Sequence, residues 1–422
     1  MVYETKAEET DTNAGAGRIK VPSGRVHEHK PQHLPRSIWA LGFVSLFMDT
    51  SSELVHSLLP ALLVSVLGIS MVGVGIIEGI AEATAAITKV FSGALSDRLG
   101  RRKGLTVVGY SLSAMTKLMF PLAQSAGMVF TARFLDRLGK GIRGAPRDAL
   151  VADLTPSAVR GAAYGLRQAL DTAGAFLGPL LAIVLMALFL NDVRLVLWFA
   201  LLPAMICVAL LVFAVKEPER KTRQMPSAKK DWPLRRANLA VLPRAYWFIV
   251  TIGMLFALAR FSEAFLTLRA MELGLTIGYS PIVIALMSAV YAMTSYPAGR
   301  LADRMDRRYL LAIGFVVLIL ADLLLAGATN IASAMVGIAV WGLHMGLTQG
   351  LLSAMIADSA PEHLRGTAFG VFNLVSGLAL LLASILAGLL WQTAGASMTF
   401  FAGALFSTLA LGFLGASYRS IK

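Results

Sequence analysis

Asp49, Glu53 and His56 stand in an otherwise apolar stretch at spacing i, i+4 and i+7, and on a helix that spacing stacks all three on one face. Two carboxyls and an imidazole on one face make proton chemistry available. A carboxyl withdrawn from water holds its proton to higher pH. Asp49 or Glu53 could therefore load and release a proton near neutrality, with His56 relaying it or donating to one of them. The same oxygen and nitrogen donors are types that divalent nickel, iron or cobalt accept. Other ionisable groups share such surroundings: Arg133, Asp136, Arg137, Lys140 and Arg143; Glu78, Glu82 and Lys89; Arg167 and Asp171; Arg260 and Glu263. Opposed signs imply pairing. Asp49 or Glu53 against Arg137, and Arg260 with Glu263, are the expected pairs, the second within one helix. A charge near the middle of a bilayer costs about 2.5 to 3.5 kcal/mol on insertion scales, so the groups of the first helix read as functional first and as structural ion pairs second, while for Glu78, Lys89, Arg167 and Asp171 the two readings stand level.

The elements that must carry them are membrane helices. Hydrophobic residues make up 56% of the 422 and charged residues 15%, with a mean hydropathy of +0.69, more apolar surface than a soluble fold can hide. Apolar runs recur after residue 37, each long enough to cross roughly 30 Å of hydrocarbon as helix. They lack the short alternating segments of a barrel. The spacing predicts spans at about 38–67, 71–95, 104–122, 127–150, 163–189 and 194–215, then 245–272, 279–302, 309–328, 332–356, 367–390 and 396–416. The organisation expected is a disordered cytoplasmic tail over 1–36, six helices over 37–215, a basic cytoplasmic linker over 216–244, six helices over 245–418 and a short tail over 419–422. The tail lacks the apolar core of a signal peptide, and its His27, His29 and His33 read as inert rather than chelating. The single cysteine, Cys207, excludes an intrachain disulfide and reads as a small apolar residue.

The net charge of +13 is distributed, not patched. Basic residues gather in alternate connections, such as Arg98 to Lys103, Lys216 to Arg244 and Arg304 to Arg308. The connections between them, near Gly68 to Val72 or Thr329 to Ser333, carry none. That alternation orients a chain in a membrane, with both termini in the cytoplasm, and does not suggest nucleic acid binding. The chain also repeats itself. Gly93, Leu95, Asp97, Arg98, Arg101, Arg102 and Leu105 recur 206 residues later, and Ala152, Asp153, Pro156, Arg160, Gly161, Ala163 and Gly165 recur 205 residues later.

The run Gly93 to Leu105, GALSDRLGRRKGL, resembles the loop 2–3 signature of the major facilitator superfamily, G-x-L-A-D-R-x-G-R-K-x-x-L. Arg137 to Ala145 resembles the fourth-helix motif R-x-x-Q-G-x-G-A-A, with Lys140 and Arg143 at neutral positions. Gly174 to Pro179 resembles the fifth-helix antiporter motif. The resemblance covers nearly all of residues 37 to 418. It implies an all-α fold of twelve transmembrane helices in two pseudo-symmetric halves, with helices one, four, seven and ten lining a central cavity. On that reading Asp49, Glu53, His56, Arg137, Arg143, Arg260, Glu263, His344 and Gln349 belong to a proton-coupling and substrate cavity. His344, one turn after Trp341, reads more readily as a packing histidine. Gly93, Asp97, Arg98, Arg101, Asp303 and Arg304 then form gating clusters, the first of them set against Asp148 or Asp153. Gly174, Gly178 and Pro179 would bend the fifth helix.

The function expected is secondary active transport, most readily proton-coupled efflux of a small solute by alternating access in the plasma membrane. Its partners are the bilayer, a small-molecule or ion substrate and protons, and it acts as a monomer without cofactor or resident metal. Export of a divalent metal or metal chelate, transport of an organic anion by Arg137, Lys140 and Arg143, and a non-transporting receptor on the same fold are the alternatives. No phosphate-binding glycine loop, zinc-type His-Glu spacing or serine elbow argues for an enzyme.

Overall fold

A computed structural model describes residues 34–99, 102–156, 159–216, 241–302, 304–348, 350–361 and 364–420. The expected N-terminal tail with its histidines, and nearly all of the basic linker, lie outside the described residues. The first six helices are α1 (Arg36–Val66), α2 (Met71–Leu99), α3 (Arg102–Leu122), α4 (Ala126–Leu154), α5 (Arg160–Leu188) and α6 (Val193–Phe213). The second six are α7 (Arg244–Glu272), α8 (Ile277–Ala302), α9 (Arg307–Ala326), α10 (Ile331–Ser359), α11 (Arg365–Ala394) and α12 (Ala396–Ser420).

Among the described residues, 11 helices are long and apolar enough to cross a membrane. The exception is α4, which at 29 residues is long enough but carries Arg133, Asp136, Arg137, Lys140, Arg143, Arg147 and Asp148 along its length. It spans because its charges face protein rather than lipid: Arg133, Asp136, Arg137 and Arg143 are buried. The chain is an integral, multi-pass membrane protein of twelve helices in two halves of six. Helix is the form that lets each segment satisfy its own backbone in hydrocarbon. Short polar residues stop and start the helices at the connections. Ser125 caps α4, Asp192 caps α6 and Asp306 caps α9, each accepting from a backbone N–H of the first turn.

The halves meet in two matched contacts, α2 against α11 and α5 against α8, which exchange places under the two-fold relation between the halves. Small residues permit the first contact. A methyl group at Gly79 would sit 3.0 Å from the Leu381 carbonyl oxygen, and one at Gly75 would collide with the Ser384 backbone. Within the first half, α5 lies on α1. A methyl at Gly178 would be 2.7 Å from the Thr50 carbonyl oxygen and 3.0 Å from Glu53 Cβ, and one at Gly174 would strike the Leu46 carbonyl. The helix stays continuous through Pro179. These glycines form a close seam that presses α5 onto the charged turn of α1. Breaks occur elsewhere: α7 unwinds between Ala259 and Ala264, and α10 turns at Gly350, whose φ of 83° suits a residue without a side chain. Cys207 is buried among apolar side chains.

Candidate functional site

Between the halves lies a cavity of about 740 Å³, a size suited to a small organic solute. All eight inner helices line it: α1, α2, α4 and α5 on one side, α7, α8, α10 and α11 on the other. The four lining helices expected from sequence are thus joined by four more. The lining reaches Lys89, Arg147, Gly350 and Ser353 near the helix ends that carry the arginine-rich connections. At the opposite end the halves close tightly, with Gly388 against the Met71 backbone and Gly278 against the Asn191 side chain.

Asp49, Glu53 and His56 all face the cavity from α1. His56 Nδ1 lies 3.2 Å from Glu53 Oε2, and its Nε2 lies 3.9 Å from Glu78 Oε2. Glu78 in turn takes a two-pronged bond from Arg133, at 2.9 and 2.8 Å, with both side chains almost wholly buried. Such a fork is the strong form of an ion pair. The Ser262 hydroxyl in the unwound part of α7 donates to the same Glu78 carboxylate at 3.3 Å. The Ser262 N–H donates to Ser384 Oγ on α11 at 3.2 Å. The charged face of the first half therefore grips the broken helix of the second.

Two expected pairs are corrected. Arg137 bonds Glu82 of α2 at 3.0 Å, not Asp49 or Glu53, because His56 already occupies Glu53, one helical turn away. Asp49 lines the cavity and makes no ion pair within 4.0 Å with a described basic residue. Arg260 and Glu263 both line the cavity but form no ion pair within 4.0 Å. The unwinding of α7 places them on either side of a break, where helical i, i+3 spacing no longer holds. Arg260 stacks over the Phe256 ring at 5.4 Å.

His344 is the packing histidine and not a cavity residue: it is fully buried behind the lining, its Nδ1–H donating to the Trp341 carbonyl and its ring edge-on to Trp341 and Phe256. Gln349 lies outside the described residues. Arg143 lines the cavity, bonds the Ser113 hydroxyl and stacks over Tyr110 at 4.6 Å.

Sequence reasoning passed over Lys117 and Arg147. Lys117 on α3 is buried and bonds Asp136 at 3.0 Å and Ser52 Oγ at 3.2 Å. Arg147 reaches Asp148 at 3.1 Å and Asp171 at 3.8 Å. The signal for Lys117 was present, a lone lysine in an apolar helix, which implies a buried acid opposite. Among the described residues no three His, Cys, Asp or Glu side chains converge in a metal-holding group.

At the arginine-rich end, Arg102 bonds Asp153 at 2.7 Å and the Ala149 carbonyl at 2.8 Å. In the second half Arg307 pairs with Asp358. Arg160 and Arg365 each donate to the carbonyl eight residues earlier, at 3.2 Å in both cases. The Arg160 and Arg365 contacts match at the offset of 205 of their own block, and Arg102 and Arg307 each pair with the matched aspartates Asp153 and Asp358, although the sequence repeat aligns Arg307 with Arg101. Asp148 pairs instead with Arg147 and, at 3.9 Å, Arg167. Gly93 packs toward Ala145, and Arg304 is exposed in the turn after α8. The side chains of Asp97 and Arg98, and residues Arg101 and Asp303, lie outside what is described.

The family model for the Major Facilitator Superfamily matches residues 41–381 and 264–421. An uncharacterized MFS-type transporter of Methanocaldococcus jannaschii is 32% identical over 386 residues, covering 90% of this chain and 94% of that protein. The inner membrane transport protein YajR of Escherichia coli is 24% identical over 391 residues, 89% of this chain and 81% of that one. Among solved structures, a mutant of the nucleoside transporter NupG superposes with a TM-score of 0.76 at 13% identity, over 90% of this chain and 99% of that one. A bacterial homologue of the human lysosomal transporter Spinster superposes with a TM-score of 0.74 at 15% identity, over 91% and 96%. With its paired six-helix halves, central cavity and a family model matched along almost the whole membrane region, the chain belongs to the Major Facilitator Superfamily and is a membrane transporter.

Proposed function

We propose that the protein is a proton-coupled secondary transporter that exports a small solute across the plasma membrane by alternating access, as a monomer with its arginine-rich end in the cytoplasm. The observation that carries this reading is the set of Asp49, Glu53 and His56 on the cavity face of α1, with His56 Nδ1 3.2 Å from Glu53 Oε2 and its Nε2 3.9 Å from Glu78 Oε2. Such groups can take up and release a proton, and opening the cavity to water on one side and then the other gives that proton a route between compartments. They sit where α5 presses on α1 through Gly174 and Gly178, so relative movement of these helices alters their surroundings. The cluster reaches the second half through His56, Glu78 and Ser262. Loading of Glu53 or His56 therefore bears on the break in α7. The alternating basic connections support the orientation. For the metal-export alternative, no donor group converges among the described residues.

The test is the purified protein in liposomes with an imposed pH gradient, screened against drugs, divalent metals and organic acids. Solute movement driven by the gradient, and lost in Asp49→Asn, is the expected result. Solute flux that ignores the gradient, or a gradient response untouched by Asp49→Asn and Glu53→Gln, would overturn it.

A further inference from the structure

We propose that the cavity binds a solute with an anionic head and an aromatic or apolar body, the head held by Lys140 of α4 and Arg260 of α7. This rests on reading the cavity as the transport site and adds the charge of its cargo.

The cavity is lined by six carboxylates, six Lys or Arg side chains and His56, so total charge alone selects nothing. Partnering does. Glu53, Glu78, Glu82 and Asp171 each have a basic partner. On the basic side, Arg137 and Arg147 are paired, and Arg143 is committed to Ser113 and Tyr110. Lys89, Lys140 and Arg260 face the cavity, and none has an ion-pair partner within 4.0 Å among the described residues. Asp49 and Glu263 are the lining carboxylates without a basic partner on the same terms. Three such cations face two such acids, so the excess charge is positive.

The two cations deeper than Lys89 come from opposite halves, and each is preset to receive an anion. Lys140 is exposed to the cavity on the helix whose other charges are already bound. Arg260 is separated from Glu263 by the break in α7 and lies 5.4 Å over the centre of the Phe256 ring, and its guanidinium has planar donors for a carboxylate, phosphate or sulfonate. The wall around Arg260 supplies the body site, with Phe256, Phe261, Tyr291, Trp341 and Phe372. An anion bridging Lys140 and Arg260 neutralises one cation of each half at once. Closure of the halves over an occupied cavity is then favoured relative to an empty one.

The experiment uses the full chain, purified, titrated calorimetrically with 1-naphthoate, 1-naphthylmethylammonium and 1-naphthylmethanol, which share a ring body and differ in head charge. Naphthoate is expected to bind at least about tenfold more tightly than either of the others, and Lys140→Gln and Arg260→Gln each to weaken it by about tenfold. Lys140→Arg and Arg260→Lys should recover most of the loss. Because Arg260 stands at a helix break, Lys140→Gln alone suffices if Arg260→Gln fails to fold. Equal or tighter binding of the amine, no saturable binding of naphthoate, or Gln variants that keep naphthoate affinity and shift only its pH dependence would overturn the proposal. Naphthoate exchange that needs both cations but ignores a pH gradient would sink the proton-coupled reading and leave the anion site standing. Gradient-driven transport confined to cationic solutes would do the reverse.

Discussion

The two halves arise from one repeated unit, yet their cavity walls differ in kind. The first half contributes five carboxylates, five Lys or Arg and His56, while the second contributes only Arg260 and Glu263 among aromatic and small polar residues. Ion pairing follows the same divide. The first half holds linked pairs across α1, α2, α3, α4 and α5, whereas the described ion pairs of the second half are Arg269 with Glu272 and Arg307 with Asp358. Where the halves agree is at the arginine-rich end, where Arg102–Asp153 and Arg307–Asp358 are counterparts. The repeat keeps an Arg–Asp contact at the arginine-rich end of each half, while the cavity walls differ, one carrying most of the charge and the other mostly aromatic and small polar residues.

The largest expected effect lies in the charged wall. Glu78→Leu leaves Arg133 buried without its partner, a loss of about 3–5 kcal/mol for breaking a buried pair. Thermal denaturation in detergent should show a much lower midpoint, and an unchanged one would mean the pair is not integral to the fold. Packing comes next. Gly178→Ala drives a methyl into the Thr50 carbonyl and should cost about 1–3 kcal/mol, whereas Gly299→Ala in the second half meets open space and should leave the midpoint in place. Equal midpoints for these two variants would erase the contrast in packing.

Asp49→Asn should reduce gradient-driven flux by at least about tenfold, close to 1.4 kcal/mol, while solute exchange without a gradient persists. Loss of both would assign Asp49 to substrate binding rather than coupling. Arg102→Ala and Arg307→Ala break partly exposed pairs and should each change stability by less than about 1 kcal/mol. Their matched positions predict matched effects on transport rate, and strongly unequal rates would show that the two ends do not act as equivalents.

Much of this was legible without coordinates. Twelve spans within a few residues, the repeat, and the face shared by Asp49, Glu53 and His56 follow from local spacing, because helical periodicity is set by the backbone. Lys140 and Arg143, departures from the fourth-helix motif, stood out by residue type alone. Partner assignment was not legible: Arg137 turned from α1 to Glu82, and Arg260 parted from Glu263. Lys117 was missed because its acid, Asp136, lies on another helix.

The amino-acid order therefore determined which residues form each helix, which of them share a face, and that charge is concentrated in the first half, since each depends on neighbours within a turn or two. Only the tertiary structure decided which acid meets which base, which basic groups remain without an ion pair, and that His344 sits behind the wall rather than on it. Those outcomes depend on the rotation and depth of one helix against another. Contacts such as Gly178 on Thr50 and Gly79 on Leu381 set that rotation and depth, and no local spacing encodes them.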